Sequence, residues 1–176
     1  MTDDGEPAGA SFGEDADFDP AAYRRALSGF GTGVALVAAH DGTGRAHGLI
    51  INSLTSVSLR PPIVLWCLAD TSAAFPVFAG AETFSLNILH SGDESLARQF
   101  SARGDRIIPP EQIVTLATGA PILAAAVASL DCRLRQRVTM GDHEVIFGDV
   151  AAHRADPDLN ALGFFRGRYV KLTTGD

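Results

Sequence analysis

The sequence predicts a mainly β fold: an antiparallel barrel of six or seven strands with two or three short helices appended. Three observations carry this. The 176 residues, 46% of them hydrophobic, suit one domain with a real core. Short apolar runs recur along the chain and are mostly joined by hairpin-type turns. The regular strand–helix alternation of a parallel sheet is missing.

Each element has a local reason. Pro20 to Ser28 reads as a helix, with Asp19 as N-cap and Pro20 in the first helical position. Val34 to Ala39 is a short apolar strand. DGTGR (Asp41 to Arg45) is a hairpin turn rich in residues that tolerate positive φ. A second strand starts near Ala46, and Pro61-Pro62 ends it. Ile63 to Leu68 is a third. Thr71 to Gly80 is expected as a short helix, and Phe84 to Leu89 as a strand. Ser91 and Glu94 have capping-box spacing at the head of a helix to Ala102, with Leu96 and Phe100 on one face. Residues 104–121 read as loop with a short strand. Val127 to Thr139 and Glu144 to His153 are partner strands around a turn at Met140 to His143, and Phe164 to Leu172 is the last strand.

The net charge of -7 belongs to one end. Residues 1–19 carry seven acidic side chains and no Lys or Arg, so they read as an acidic, disordered tail, followed by a domain over 20–172 and a short tail over 173–176. The remaining 14 acidic and 14 basic residues balance. No basic stripe suggests nucleic acid. No run approaches a membrane span, and the N-terminus lacks the basic and apolar regions of a secretory signal, so a cytoplasmic protein is expected. Cys67 and Cys132 lie in apolar segments without metal-ligand spacing and read as buried small hydrophobes. Lys171 is the only lysine, which leaves no Schiff-base or P-loop lysine elsewhere. No metal site is expected.

Familiar catalytic motifs are missing. GTGVAL (Gly31 to Leu36) is glycine-rich but precedes a strand, so it is not a dinucleotide fingerprint. Walker A, GxSxG and HExxH motifs are absent. The polar run NSLTSVS (Asn52 to Ser58) stands out because apolar segments flank it. It reads either as a Ser/Thr-rich strand or bend whose hydroxyls cap their own backbone or as the polar wall of a site.

Several stretches in order resemble the flavin reductase-like family. They are FGTGVALVAAHD (Phe30 to Asp41), HGLIINSLTSVSLRPPIVLWCL (His47 to Leu68), FSLNIL (Phe84 to Leu89), LARQFSARGDR (Leu96 to Arg106), GDHEVIFGDV (Gly141 to Val150) and FFRGRY (Phe164 to Tyr169). The resemblance implies the FMN-binding split-barrel fold. It also implies hydride transfer from NADH or NADPH to FMN or FAD, a homodimer, and delivery of reduced flavin to a partner flavin-dependent monooxygenase. The alternatives are a split-barrel FMN-binding protein without reductase turnover, or a reductase of another acceptor such as a corrinoid or ferric chelate.

The same resemblance implies a site. Asn52, Ser53, Leu54, Thr55, Ser56, Val57 and Ser58 would line the flavin. Thr71, Ser72 and Arg103 would hold its phosphate, although Arg103 also suits a solvated helix end. Phe100 would border the ring or fill the core. His143 would position the nicotinamide, or serve only as a turn residue. Arg168 and Tyr169, with Arg166 beside them, would lie at the substrate side; Phe164 is given no polar role because many relatives have tyrosine there.

Overall fold

A computed structural model describes residues 19–102 and 106–173. The acidic tail over 1–18, Arg103 and residues 174–176 lie outside the described residues. The elements follow the sequence order α1 (Pro20–Leu27), β1 (Thr32–Gly33), β2 (Ala35–His40), β3 (Ala46–Ile51), β4 (Thr55–Leu59), β5 (Pro62–Ala69), α2 (Phe75–Gly80), β6 (Thr83–Ile88) and α3 (Glu94–Ser101). Then come β7 (Ile113–Val114), β8 (Ile122–Leu123), β9 (Ala128–Met140), β10 (His143–Ala155), β11 (Ala161–Phe165) and β12 (Arg168–Leu172).

Seven strands form one antiparallel sheet in the order β3-β2-β6-β9-β10-β5-β4. Its two edges, β3 and β4, are consecutive in the chain and joined only by Asn52, Ser53 and Leu54. Seven flat strands would span roughly 29 Å edge to edge. The link from Ile51 to Thr55 reaches at most about 15 Å. The sheet must therefore curl until its edges approach, and the polar run is the crossing that joins them. A side chain helps to hold it there: Ser53 Oγ accepts a hydrogen bond from the Cys67 N–H on β5 at 3.0 Å.

The curled sheet encloses one core and carries a second outside. The lumen holds Val37, Trp66, Leu68, Phe84, Leu86 and Ile146, and Phe78 of α2 packs edge-on against Trp66 at 5.6 Å. The outer core sets Leu36 and Ala38, from the opposite face of β2, against Ala97 and Phe100 of α3, Ile108 and Leu162. Strand β2 is thus buried on both faces, which explains the unbroken apolar run at Val34 to Ala39. β1, β11 and β12 form a separate three-stranded sheet, with β1 at an edge.

Several expected boundaries shift. The last strand is a hairpin, β11 and β12, turning at Arg166 and Gly167, both with positive φ (48° and 76°). The strand expected to run from Ala46 to the prolines is two strands, β3 and β4, and Pro61-Pro62 turns β4 into β5. α2 begins at Phe75 rather than Thr71, leaving Thr71 and Ser72 in the preceding turn. The Ser91–Glu94 capping box does not form. Asp93 holds the cap position of α3 and uses its carboxylate on the His90 N–H, while Glu94 pairs with Arg98 at 2.6 Å. Cys132 is buried as expected and Cys67 is only partly so; burial, aided by the Asp131 and Asp149 charges, pushes the Cys132 thiol up to about 12.

Candidate functional site

Two cavities meet at the crossing. The larger, about 730 Å³, is lined by Asn52, Ser53, Leu54 and Thr55 on one side and by Leu27, Phe30 and Gly31 to Ala35 on the other. The smaller, about 220 Å³, shares Val34 and Asn52 with it and continues to Ser101, Phe164 and Tyr169. Strands β1, β3 and β11 and helix α3 therefore bring residues from four parts of the chain to one place. The walls are largely apolar with a few convergent polar groups, the usual make-up of a small-molecule site.

The polar run divides into committed and free groups. Ser53 is engaged with Cys67, and Ser58 Oγ accepts from the Arg60 N–H at 3.2 Å. The side chains of Asn52, Thr55 and Ser56 are exposed and have no protein partner among the described residues. Val57 sits where the β4–β5 register slips between Ser56 and Ser58, and its side chain is half exposed. A self-capping bend would have consumed these groups; three of them remain available.

Tyr169 is well placed. Its ring packs edge-on to Phe164 at 5.3 Å, lies 5.2 Å from the Arg98 guanidinium, and its hydroxyl is 3.3 Å from Ser101 Oγ. Arg168, its neighbour on β12, is exposed and lines neither cavity. Arg166 stacks its guanidinium 5.1 Å over Phe165, and its N–H bonds the Ser28 carbonyl, which ties the hairpin tip to the end of α1.

Other residues lie elsewhere. Phe100 is fully buried in the outer core against Gly48, where a Cβ would come within 2.9 Å of the ring. It offers no surface to a ligand, so it is a core residue and not a cofactor wall. Thr71 is exposed, and Ser72 Oγ accepts from the Ala74 N–H at 3.3 Å. Both lie beyond the end of β5, outside the two cavities. His143 opens β10 opposite Ala69 and is likewise outside them. Its Nδ1 lies 2.6 Å from Asp142 Oδ1, and that bond, with the imidazole's charge, holds the Asp142 carboxyl below the usual carboxylate range; Arg24 of α1 adds attraction. Among the described residues no group of three or more His, Cys, Asp or Glu could hold a metal ion. No helix among them is long and apolar enough to cross a membrane.

The α1–β1 wall was missed in the sequence. Its sequence signal is the glycine pair around Thr32, which precedes a strand and not a helix.

Residues 27–173 match the family model described as flavin reductase like domain. The chain belongs to the flavin reductase like family. Its relatives include the reductase subunit of stachydrine N-demethylase from Rhizobium meliloti, 35% identical over 86% of this chain and 66% of that protein. An FMN reductase (NADH) of Klebsiella pneumoniae is 34% identical over 88% of this chain and 94% of its own length. Among solved structures, the NADH:FAD oxidoreductase of Streptomyces globisporus, in complex with NAD and FAD fragments, superposes with a TM-score of 0.78. It is 30% identical over 88% of this chain and 93% of that one. The chain spans just under two thirds of the first of these relatives. The curled antiparallel sheet is the family's split barrel.

Proposed function

We propose that the protein reduces FMN or FAD with NADH or NADPH, the flavin held on the crossing between β3 and β4. The observation that carries this is the pair of free polar side chains, Asn52 and Thr55, in the wall of a largely apolar double cavity, in a chain of the flavin reductase like family. A flavin is a flat apolar body with a hydrogen-bonding edge, so apolar walls with a few donors and acceptors suit it. When bound, the flavin supplies the hydride-accepting chemistry. The chain's task is position. Backbone and side-chain groups of the crossing, Asn52 to Ser58, would bond the flavin edge, while Val34, Leu54 and Ile88 exclude water from the ring faces. Such a reaction needs aligned rings more than an acid–base pair.

The phosphate is proposed to run from the crossing along β5 to Thr71, Ser72 and Arg103. His143, oriented by Asp142, and Arg168 and Tyr169 are proposed to face the nicotinamide side. A homodimer is proposed because Leu27 and Phe30 flank the cavity, and Val57 and Leu59 follow on edge strand β4, all substantially exposed. One relative is a reductase subunit, which favours a partner monooxygenase as the consumer of reduced flavin.

The experiment is anaerobic oxidation of NADH and of NADPH with FMN or FAD added in turn. The expected result is oxidation that requires flavin. Flavin binding without nicotinamide oxidation would instead favour a binding protein, and light scattering at the mass of one chain would remove the dimer.

A further inference from the structure

The wall facing the crossing has an unexplained polar group. Thr32 lines the larger cavity, yet its Oγ1 is shielded from solvent and has no hydrogen-bond partner among the described residues. A shielded hydroxyl without a partner is costly, so it calls for an explanation. Ser129 Oγ and Trp66 Nε1 are also shielded and unpartnered, but neither residue lines the two cavities at the crossing. Thr32 is also on β1, an edge strand whose side away from β11 has no strand partner. The next residue, Gly33, has nothing within 4 Å of where a Cβ would stand. The wall therefore combines a hydroxyl, an open backbone edge and free space.

We propose that Thr32 is a ligand-contacting residue whose hydroxyl, with the open edge of β1, recognises the carboxamide of the nicotinamide ring. This rests on the flavin reductase reading above. Hydride transfer requires two ring systems stacked within about 3.5 Å of each other. If the crossing holds the polar edge of the flavin, the second ring meets the opposite wall, which is β1. A carboxamide both donates and accepts, as do a threonine hydroxyl and a strand edge. The hydroxyl turns between staggered positions about one bond, so a bound amide can supply the partner it lacks.

The test compares Thr32→Val, Thr32→Ser and the wild type in three measurements: KM for the preferred nicotinamide nucleotide, flavin Kd, and the thermal midpoint without ligands. Thr32→Val should raise KM about tenfold, the size of one lost hydrogen bond, with flavin Kd within about twofold. Thr32→Ser should stay near wild type. The ligand-free Thr32→Val protein should melt no lower than wild type, because an unpaired hydroxyl has been replaced by a methyl. An unchanged KM overturns the proposal. So does a loss of flavin affinity in place of nicotinamide affinity, or a lower melting point, which would show that the hydroxyl serves the fold. A wild type that neither binds flavin nor oxidises nicotinamide sinks the flavin reductase reading and the proposal together; an active wild type with an unaffected Thr32→Val sinks only the proposal.

Discussion

Ser85 and Asn87 on β6 are wholly buried, while Thr55 and Ser56 on β4 are exposed, although both stretches set polar residues among apolar ones. The β6 groups are consumed by the protein. Asn87 Nδ2 donates to the Leu36 carbonyl at 3.1 Å and to Ser85 Oγ at 2.8 Å, and its Oδ1 accepts from the Leu123 N–H at 2.9 Å. Ser85 donates to the Pro121 carbonyl. Opposite Ser85, the buried Asp131 accepts from the Thr118 N–H at 2.7 Å and from its hydroxyl. This network fastens the segment from Thr118 to Leu123 over the outer face of the sheet. The β4 groups fasten nothing. Buried polar groups with partners serve the fold, and accessible ones without partners beside a cavity are free to serve a ligand.

The largest effect is expected at Asn87. Asn87→Leu leaves the Leu123 N–H without its partner and sets an apolar side chain against Ser85 and the Leu36 carbonyl, so stability should fall by about 2–4 kcal/mol in chemical denaturation. Flavin affinity of the folded fraction should hold. A loss within about 0.5 kcal/mol would mean the network is not structural.

The converse variant combines Asn52→Ala, Thr55→Val and Ser56→Ala. Flavin affinity should weaken at least tenfold, about 1.4 kcal/mol, while unfolding stability changes by no more than about 0.5 kcal/mol. Equal damage to both would erase the distinction between the regions.

Ser53 belongs to both. Ser53→Ala leaves the Cys67 N–H unpaired, so a loss of about 1 kcal/mol should come with a modest weakening of flavin binding. Titrating flavin into the variant and melting it without flavin separates the two contributions.

The smallest effect sharpens the contrast by pH. Asp41 accepts from Thr43, His47 and Arg45 in the β2–β3 turn, and these bonds, led by the Thr43 hydroxyl, hold its carboxyl far below the usual range. A depressed carboxylate stabilises the fold above its unfolded pKa, about 3.9, and that contribution drains away as pH falls below it. Asp41→Asn should therefore flatten the acid side of the stability profile below about pH 4 and leave flavin affinity at neutral pH unchanged.

One wall of the candidate cavity, Asn52 to Thr55, was legible because its residues are neighbours in the chain. NSLTSVS is one uninterrupted stretch, and its excess of hydroxyls between apolar strands marks it without any structure. Phe100 was not legible, since a helical face looks the same whether it meets a ligand or Gly48. The place of Thr32 was not legible either, because it depends on sharing a cavity with Asn52, twenty residues away in sequence.

The β2–β3 and β9–β10 hairpins and the all-antiparallel class follow from the amino-acid order alone, because alternation, turn residues and prolines act within a few positions of one another. The sequence also carries the ordered stretches that mark the family. It takes the folded chain to show that β3 and β4 are the two edges of one curled sheet, that Ser85 is consumed while Ser56 is free, and that α1 and β1 supply the facing wall. Those outcomes depend on contacts such as Asn87 with Leu36, 51 residues apart, and Ser85 with Pro121, 36 apart. Local periodicity holds no record of such pairs; they form when burying apolar area folds the chain onto itself.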